Sequence, residues 1–132
     1  MSQLQCILVT PERTLLDTPA QFVALPLYDG EIGIAPLHTP MIGRLGSGEL
    51  RIIAETGTRR FYVEGGFVEV VDNTVSVLTT RALAAGELDE SEILEQLDTA
   101  RQRPARTPEL MAQRDHAVAA SRAQLRVARR AK

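Results

Sequence analysis

The chain has 132 residues, of which 44% are hydrophobic, and this supports one compact domain with an appendage. We expect a soluble protein on the cytosolic side, because no apolar run is long enough to cross a membrane, no signal peptide is recognisable, and the single cysteine, Cys6, excludes an internal disulfide. The net charge of -2 conceals a division, since residues 1–100 hold 6 basic and 15 acidic side chains whereas residues 101–132 hold 9 basic and 2 acidic ones.

Apolar and polar residues alternate over the first 80 positions with a period of two, which is typical of β-strands. Leu4, Cys6 and Leu8 share one face of the first run, and turn residues such as Gly46-Ser47-Gly48 separate later runs. Many short strands at close spacing predict an all-β sandwich, or flattened antiparallel barrel, over residues 1–86.

The segment Leu27–Gly43 alternates turn residues with short apolar pieces. Gly30 and Gly33 permit backbone angles that other residues avoid, and the prolines of the segment hold their neighbours in extended geometry. We therefore predict a stiff, shaped loop that presents Glu31 and His38 as a contact surface.

The pair Gly65-Gly66 stands between two strand-like runs. Before it, Phe61 and Val63 alternate with Tyr62, so the two groups are predicted to lie on opposite faces of a strand. No helix start follows the two glycines, which excludes a phosphate-binding loop and favours a bulge or a corner.

A helical hairpin is predicted for residues 87–132. Asp89 can cap the first helix, and Leu88 and Ile93 are placed to form a hydrophobic staple over the cap. Pro104 ends this helix, because proline clashes with the preceding turn and cannot donate a backbone hydrogen bond to it.

The second helix begins with Thr107 as its cap and Pro108 in its first turn. Met111, Val118 and Leu125 recur every seven residues and mark its apolar stripe, which alanine and serine complete. Because large apolar side chains are few, we hypothesise that the hairpin docks marginally on the β-domain and exchanges with a detached state.

The histidines do not predict a catalytic or metal site. His38 and His116 are the only two, and neither stands in a Ser-His-Asp, Cys-His or metal-ligand pattern. A surface or structural role is the default for such a lone histidine. We therefore expect a protein that is not an enzyme and that holds no metal or cofactor.

Three ordered motifs, Asp29–Pro40, Gly48–Ile52 and Gly65–Val70, resemble those of the epsilon subunit of F-type ATP synthases. The likeness begins near Leu4 and extends to Gln124–Val127, so it covers nearly the whole chain. The resemblance implies a central-stalk rotor subunit that couples the catalytic sector to the proton-translocating ring, on the cytoplasmic face of the bacterial inner membrane. It also implies that the C-terminal helices inhibit ATP hydrolysis by moving between a compact and an extended state.

The resemblance further implies contact residues for each partner. Those for the c subunits of the membrane ring are Glu31, Gly33 and His38. Those for the gamma subunit are Arg44, Leu45 and Gly48, together with the strand Phe61–Gly66. Those of the inhibitory helix toward the catalytic alpha and beta subunits are Arg114, Arg122, Arg126 and Arg129. Apolar residues on both faces of Phe67–Val71 are consistent with one buried and one partner-covered side.

Nucleotide binding is not expected. Members of the resembled family that bind ATP carry Ile/Leu-Asp-x-x-Arg-Ala at the start of the first C-terminal helix. This chain has Leu88-Asp89-Glu90-Ser91-Glu92-Ile93 at that place. The carboxylate of Glu92 stands where the family has arginine, and it repels phosphate.

The basic C-terminal helix leaves other interpretations open. Its arginines can form a solvated face, which is the default for a run of charges. A competing class is a stand-alone β-sandwich adaptor whose basic helix binds nucleic acid or an acidic protein. Few aromatic residues, no tryptophan and a pI of about 5.7 argue against nucleic acid, and the resemblance favours an arm that binds partner subunits without inserting into the membrane.

Overall fold

The computed structural model describes residues 3–130. Two five-stranded sheets pack face to face and two helices follow them, which confirms the predicted sandwich with a C-terminal helical hairpin. Strands β1 to β5 span Leu4–Val9, Thr14–Ala20, Phe22–Leu27, Gly30–Ile34 and Met41–Arg44, and strands β6 to β10 span Ser47–Ala54, Gly57–Glu64, Phe67–Val71, Thr74–Leu78 and Arg81–Ala84. A 3-10 turn at Ala85–Glu87 leads into α1 (Glu90–Arg101) and α2 (Pro108–Arg130).

Sheet 1 has the strand order β2-β1-β9-β8-β5, and sheet 2 has the order β10-β7-β6-β3-β4. Neighbouring strands are antiparallel except β1 and β9, which run parallel. The consecutive strands β4 and β5 are edge strands of different sheets, so residues 35–40 cross from sheet 2 to sheet 1.

The main core lies between the two sheets. Leu4, Cys6 and Leu8 are buried in it, as the alternation predicts, together with Leu50 of sheet 2. Burial raises the pKa of the Cys6 thiol to about 12, and the negative charge of Asp17 adds to the shift. Because a thiol with this pKa stays protonated, Cys6 is a packing residue and not a nucleophile.

The loop predicted for Leu27–Gly43 is wrong in two parts, since Gly30–Ile34 forms the edge strand β4 and the last three residues, 41–43, belong to β5. The backbone of β4 pairs with β3 along its whole length, and this pairing outweighs the low strand preference of its glycines. The rest of the segment is tied to sheet 1, because Leu37, at a φ of 67°, donates its N–H to Oδ1 of Asn73 at 2.6 Å.

The predicted corner at Gly65-Gly66 is present between β7 and β8. The two residues have φ angles of 65° and 108°, which side-chain-bearing residues rarely adopt. A β-carbon on Gly66 would also lie 1.9 Å from the carbonyl oxygen of Leu78. Both the turn and the close approach of two backbones therefore require glycine here.

The predicted helix caps are confirmed. Oδ1 of Asp89 accepts the Ser91 N–H at 3.0 Å at the start of α1, and Oγ1 of Thr107 accepts the Leu110 N–H at 3.1 Å at the start of α2. Leu88 packs against the buried cluster that joins α1 to α2, as a hydrophobic staple requires.

Burial along α2 is concentrated in its C-terminal half. The buried residues are Ser121, Ala123, Gln124, Leu125, Val127 and Ala128. Ala123 and Val127 pack against Tyr62 of sheet 2, whereas Leu125 and Ala128 pack against Ile93 of α1. The predicted apolar stripe is wrong at its start, where Met111 is exposed, as is the neighbouring Leu110, because sheet 2 covers only the other end of the helix.

Candidate interaction surfaces

The residues predicted to contact the ring lie along one edge of the molecule, on β4 and on the connection after it. Glu31 and Gly33 are exposed on β4. His38 follows the end of β4 and is half-buried, with its backbone N–H donating to the carbonyl oxygen of Ala35 at 3.2 Å and its Nδ1 2.7 Å from the carbonyl oxygen of Thr39. The three residues share an edge but are spread along it, because strand residues advance about 3.3 Å each.

Packing within the chain itself explains why residue 33 is a glycine. A β-carbon on Gly33 would lie 2.5 Å from Cζ of Phe22, so the aromatic ring occupies the space of the missing side chain. Two exposed apolar side chains, Tyr28 and Leu37, flank this part of the edge. The edge thus offers a mixed apolar and acidic surface whose shape depends on a packed ring.

The three residues predicted to contact gamma face in different directions. Arg44 is exposed on β5, and its guanidinium lies 4.9 Å from the centre of the Tyr28 ring. Leu45 is 2% exposed and belongs to the main core. Gly48 is half-buried, and a β-carbon there would lie 3.2 Å from Cβ of Pro26. Of the three, Arg44 alone has an exposed side chain.

The outer face of the predicted gamma-contact strand Phe61–Gly66 is covered by the chain's own helix. Tyr62 is buried against α2, and its hydroxyl donates to Oε1 of Glu64 at 2.6 Å. Burial, reinforced by the hydrogen bond to Glu64 and its charge, raises the pKa of Tyr62. While α2 is docked, this face is not available to another protein.

The outer face of sheet 1 carries an apolar surface. The sequence pattern predicts only the part of it that belongs to Phe67–Val71. We call the exposed side chains Ile42, Arg44, Phe67, Val71 and Leu78 the β5–β8–β9 face, and the exposed carboxylate of Glu69 lies among them, opposite Ile42. Phe67 lies opposite Arg44 on one side and Leu78 on the other, so these side chains are neighbours across three strands. Ile42 is 75% exposed and Phe67 is 59% exposed. The signal in the sequence was the run of apolar residues on both faces of β8.

The arginines of α2 divide into paired and unpaired ones. Nε of Arg129 lies 2.9 Å from Oε1 of Glu90, which joins α2 to α1, and Nε of Arg114 lies 3.3 Å from Oδ1 of Asp115. Arg122 and Arg126 are exposed, and within residues 3–130 they form no ion pair. The exposed cationic surface of the docked helix therefore centres on these two residues.

The part of the chain that the structure describes has neither a group of side chains suited to a metal ion nor a helix suited to spanning a membrane. Within residues 3–130, no three His, Cys, Asp or Glu side chains are grouped so that they could hold a metal ion. Neither α1 nor α2 combines the length and apolar character that a membrane-spanning helix needs. The interaction surfaces are therefore the features of this molecule that point to a function.

Comparison with known proteins gives the same picture as the fold. Residues 3–85 match the family described as ATP synthase, Delta/Epsilon chain, beta-sandwich domain. An ATP synthase epsilon chain from Rhodopirellula baltica is 48% identical over 126 residues, which cover 96% of this chain and 98% of that protein. One from Nitratidesulfovibrio vulgaris is 36% identical over 122 residues, which cover 92% of this chain and 89% of the relative.

Solved structures resemble the whole arrangement, including the helices. A chain in the cryo-EM structure of the Euglena gracilis mitochondrial ATP synthase (OSCP/F1/c-ring) matches with a TM-score of 0.84 at 22% identity, over 92% of this chain and 79% of that one. A chain in the central stalk/c-ring structure of the Tetrahymena thermophila mitochondrial ATP synthase matches with a TM-score of 0.71 at 16% identity, over 95% and 96% of the two chains. At these identities the likeness concerns the fold.

Proposed function

The chain belongs to the delta/epsilon-chain family of ATP synthases, and on this premise we propose that it is a non-catalytic subunit of the central stalk. In this role it couples the catalytic sector to the proton-translocating ring and restrains ATP hydrolysis through its C-terminal helices. The observation that carries the proposal is the 48% identity to an epsilon chain over 126 residues, because that length includes both the β-sandwich and the helices. We infer that, as part of this complex, the protein is peripheral and lies on the cytoplasmic face of the bacterial inner membrane.

The gamma subunit, in this proposal, packs on the β5–β8–β9 face. Its exposed apolar side chains favour this choice, since burial of such a surface stabilises a protein–protein interface. Arg44, which lies opposite Phe67 on the adjacent strand, adds a cationic group at the border. The other outer face is less suitable, because α2 already occupies it.

The ring of c subunits is assigned to the edge formed by Glu31, Gly33 and His38. Glu31 is exposed there and offers a charge to a polar loop. An exposed ion pair contributes only about 0–1 kcal/mol. Glu31→Ala is therefore expected to loosen the assembly and not to abolish it.

The catalytic alpha and beta subunits are assigned to α2 in its extended state. Arg114, Arg122, Arg126 and Arg129 supply the positive charge for this contact. Arg129 pairs with Glu90 in the docked hairpin, so this residue must exchange one carboxylate for another when the helix extends. Such a contact is salt-sensitive, because charges at a surface are screened over about 8–10 Å.

Removal of residues 87–132 tests the regulatory part of the proposal. In the reconstituted complex we expect faster ATP hydrolysis than with the full chain. The double substitution Arg122→Ala with Arg126→Ala should have the same direction, whereas Arg106→Ala, in the connection between the helices, serves as the matched control. An unchanged rate of ATP hydrolysis after truncation would contradict the proposed inhibition by the helices and leave only the coupling role. Failure of the full chain to co-purify with an ATPase would overturn both roles.

A further inference from the structure

A buried carboxylate lies beneath the docked helix α2. Glu49 stands on the outer face of β6, directly opposite Tyr62 in the strand register. Its side chain is 2% exposed, although it belongs to the face of sheet 2 that points away from the main core. The C-terminal half of α2 packs on Tyr62 next to it and also contacts β6, and from this we infer that α2 excludes water from this position.

The two oxygens of this carboxylate are in different situations. Oε1 lies 3.2 Å from Nη1 of Arg60, 3.4 Å from Nη1 of Arg51 and 4.0 Å from Nη1 of Arg130. Oε2 is buried and has no hydrogen-bond partner among the residues that the structure describes. A buried acceptor without a partner is unfavourable, because in the unfolded or undocked state water satisfies it.

The partners of Glu49 respond differently to docking. Arg51 and Arg60 stand on sheet 2, so their contacts with Glu49 do not require α2. Their side chains are 28% and 36% exposed and keep access to water. Arg130 alone comes from α2, and it is 59% exposed at the outer limit of ion-pair distance, where such pairs contribute little.

Docking therefore removes water from Oε2 and adds one weak ion pair. We propose that Glu49 is a release element: its buried carboxylate lowers the stability of the docked state of α2, so that the helix detaches more readily than its packing alone would allow. The inference concerns the docking equilibrium of the isolated chain. It can fail while the proposed function holds, because it does not depend on any partner subunit.

The test compares Glu49→Leu and Glu49→Gln with the same two replacements at Glu69, which is exposed on the outer face of sheet 1. Amide hydrogen exchange of the purified full chain is measured for residues 121–128 of α2. We expect Glu49→Leu to raise their protection about tenfold, the effect of removing one buried polar group that has no hydrogen-bond partner. Glu49→Gln should raise it less, since a neutral amide is cheaper to bury than a carboxylate, and the Glu69 variants should leave it unchanged.

Tryptic cleavage after Arg122 and Arg126 provides an independent readout, because cleavage follows the population of the open state. It should slow in parallel with the gain in protection. Unchanged or lower protection of α2 in the Glu49 variants would overturn the proposal, and lower protection would identify Glu49 as an anchor. Should Glu49→Leu fail to fold, the near-isosteric Glu49→Gln decides between these outcomes.

Discussion

Gly33 lies on the edge that we assign to the ring of c subunits, yet the space that a side chain at this position would need is filled by the ring of Phe22. A β-carbon there would lie 2.5 Å from Cζ of Phe22, so any larger residue must displace the ring. We predict that Gly33→Ala lowers the free energy of unfolding by about 1–3 kcal/mol, the range typical of overpacking. Urea denaturation of the purified chain measures this difference.

Gly86→Ala is the matched control for that substitution. A β-carbon on Gly86 meets no atom within 4 Å, so its replacement should change stability by less than about 1 kcal/mol. Equal stability of the wild type and Gly33→Ala would mean that Phe22 moves aside freely. Contact with a partner would then be the remaining reason for glycine at position 33.

Cys6 makes the stability of the fold depend on pH in the alkaline range. Burial raises the pKa of its thiol from 9.0 to about 12, so the unfolded chain loses this proton at lower pH than the folded chain. The stability linked to the thiol is therefore fully present below about pH 9 and is lost as the pH rises toward about 12. Between about pH 8 and pH 10.5 we expect a loss of about 2 kcal/mol from this group.

The Cys6→Ala variant isolates this contribution. Its absolute stability is lower because of the cavity, but its stability should fall by about 2 kcal/mol less than that of the wild type over the same pH interval. Tyr62, whose pKa is also raised, contributes equally to both proteins and cancels in the difference. Identical pH dependence of the two proteins in urea denaturation would contradict the assignment.

At the scale of elements, α2 is a helix whose two halves have different neighbours. Ala123 is buried against Tyr62 of sheet 2, whereas Ala119, one turn earlier, is exposed. We predict that Ala123→Asp detaches α2, because an unpaired buried charge costs about 3 kcal/mol or more. Hydrogen exchange should then show loss of protection in α2 with little change in the strands of the main core.

Ala119→Asp is the control, since it makes the same chemical change on the same helix at an exposed position. It should leave the protection of α2 within about threefold of the wild type, the usual scale of surface substitutions. If Ala123→Asp and Ala119→Asp behave alike, docking on Tyr62 does not hold the helix. If Ala123→Asp unfolds the strands as well, the helix and the sandwich form one cooperative unit.

The starts of both helices are predictable from sequence because their caps act within one turn. Asp89 and Thr107 each bond to a backbone N–H two or three residues ahead, and such contacts need no tertiary structure. The strand Gly30–Ile34 is different, because its order comes from pairing with β3 and its own residues do not signal it. Propensity is a weak guide where pairing decides.

The contact surfaces are less predictable than the elements. The alternation of residues along β7 correctly predicts that Tyr62 lies on the opposite face of the strand from Phe61 and Val63. No local sequence pattern predicts that α2 packs back onto the sheet and covers Tyr62. In the same way, Arg44 and Leu45 are adjacent in sequence and point to solvent and to the core respectively. Which of them meets a partner depends on the twist and closure of the sandwich.

At the scale of the whole molecule, the two outer faces of the sandwich are treated differently. The outer face of sheet 2 is covered by the chain's own helix α2. The covered surface contains Tyr62 and the carboxylate of Glu49. The face of sheet 1 is left open with Ile42 and Phe67 exposed. In the proposed function, a face covered by a helix that can detach and a second, open apolar face suit a protein that keeps one partner permanently and changes its contact with another.

This asymmetry leads to a prediction for the permanent partner. Ile42 is 75% exposed on the edge strand of the β5–β8–β9 face, so Ile42→Asp should not disturb the core. In an apolar interface the same charge would be desolvated, and we expect the affinity for purified gamma subunit to fall by at least about tenfold. Leu94→Asp, at an exposed apolar position on α1, is the matched control and should bind gamma like the wild type. Equal binding by Ile42→Asp and the wild type would move the gamma contact away from sheet 1, and urea denaturation of each variant would establish that the fold is intact.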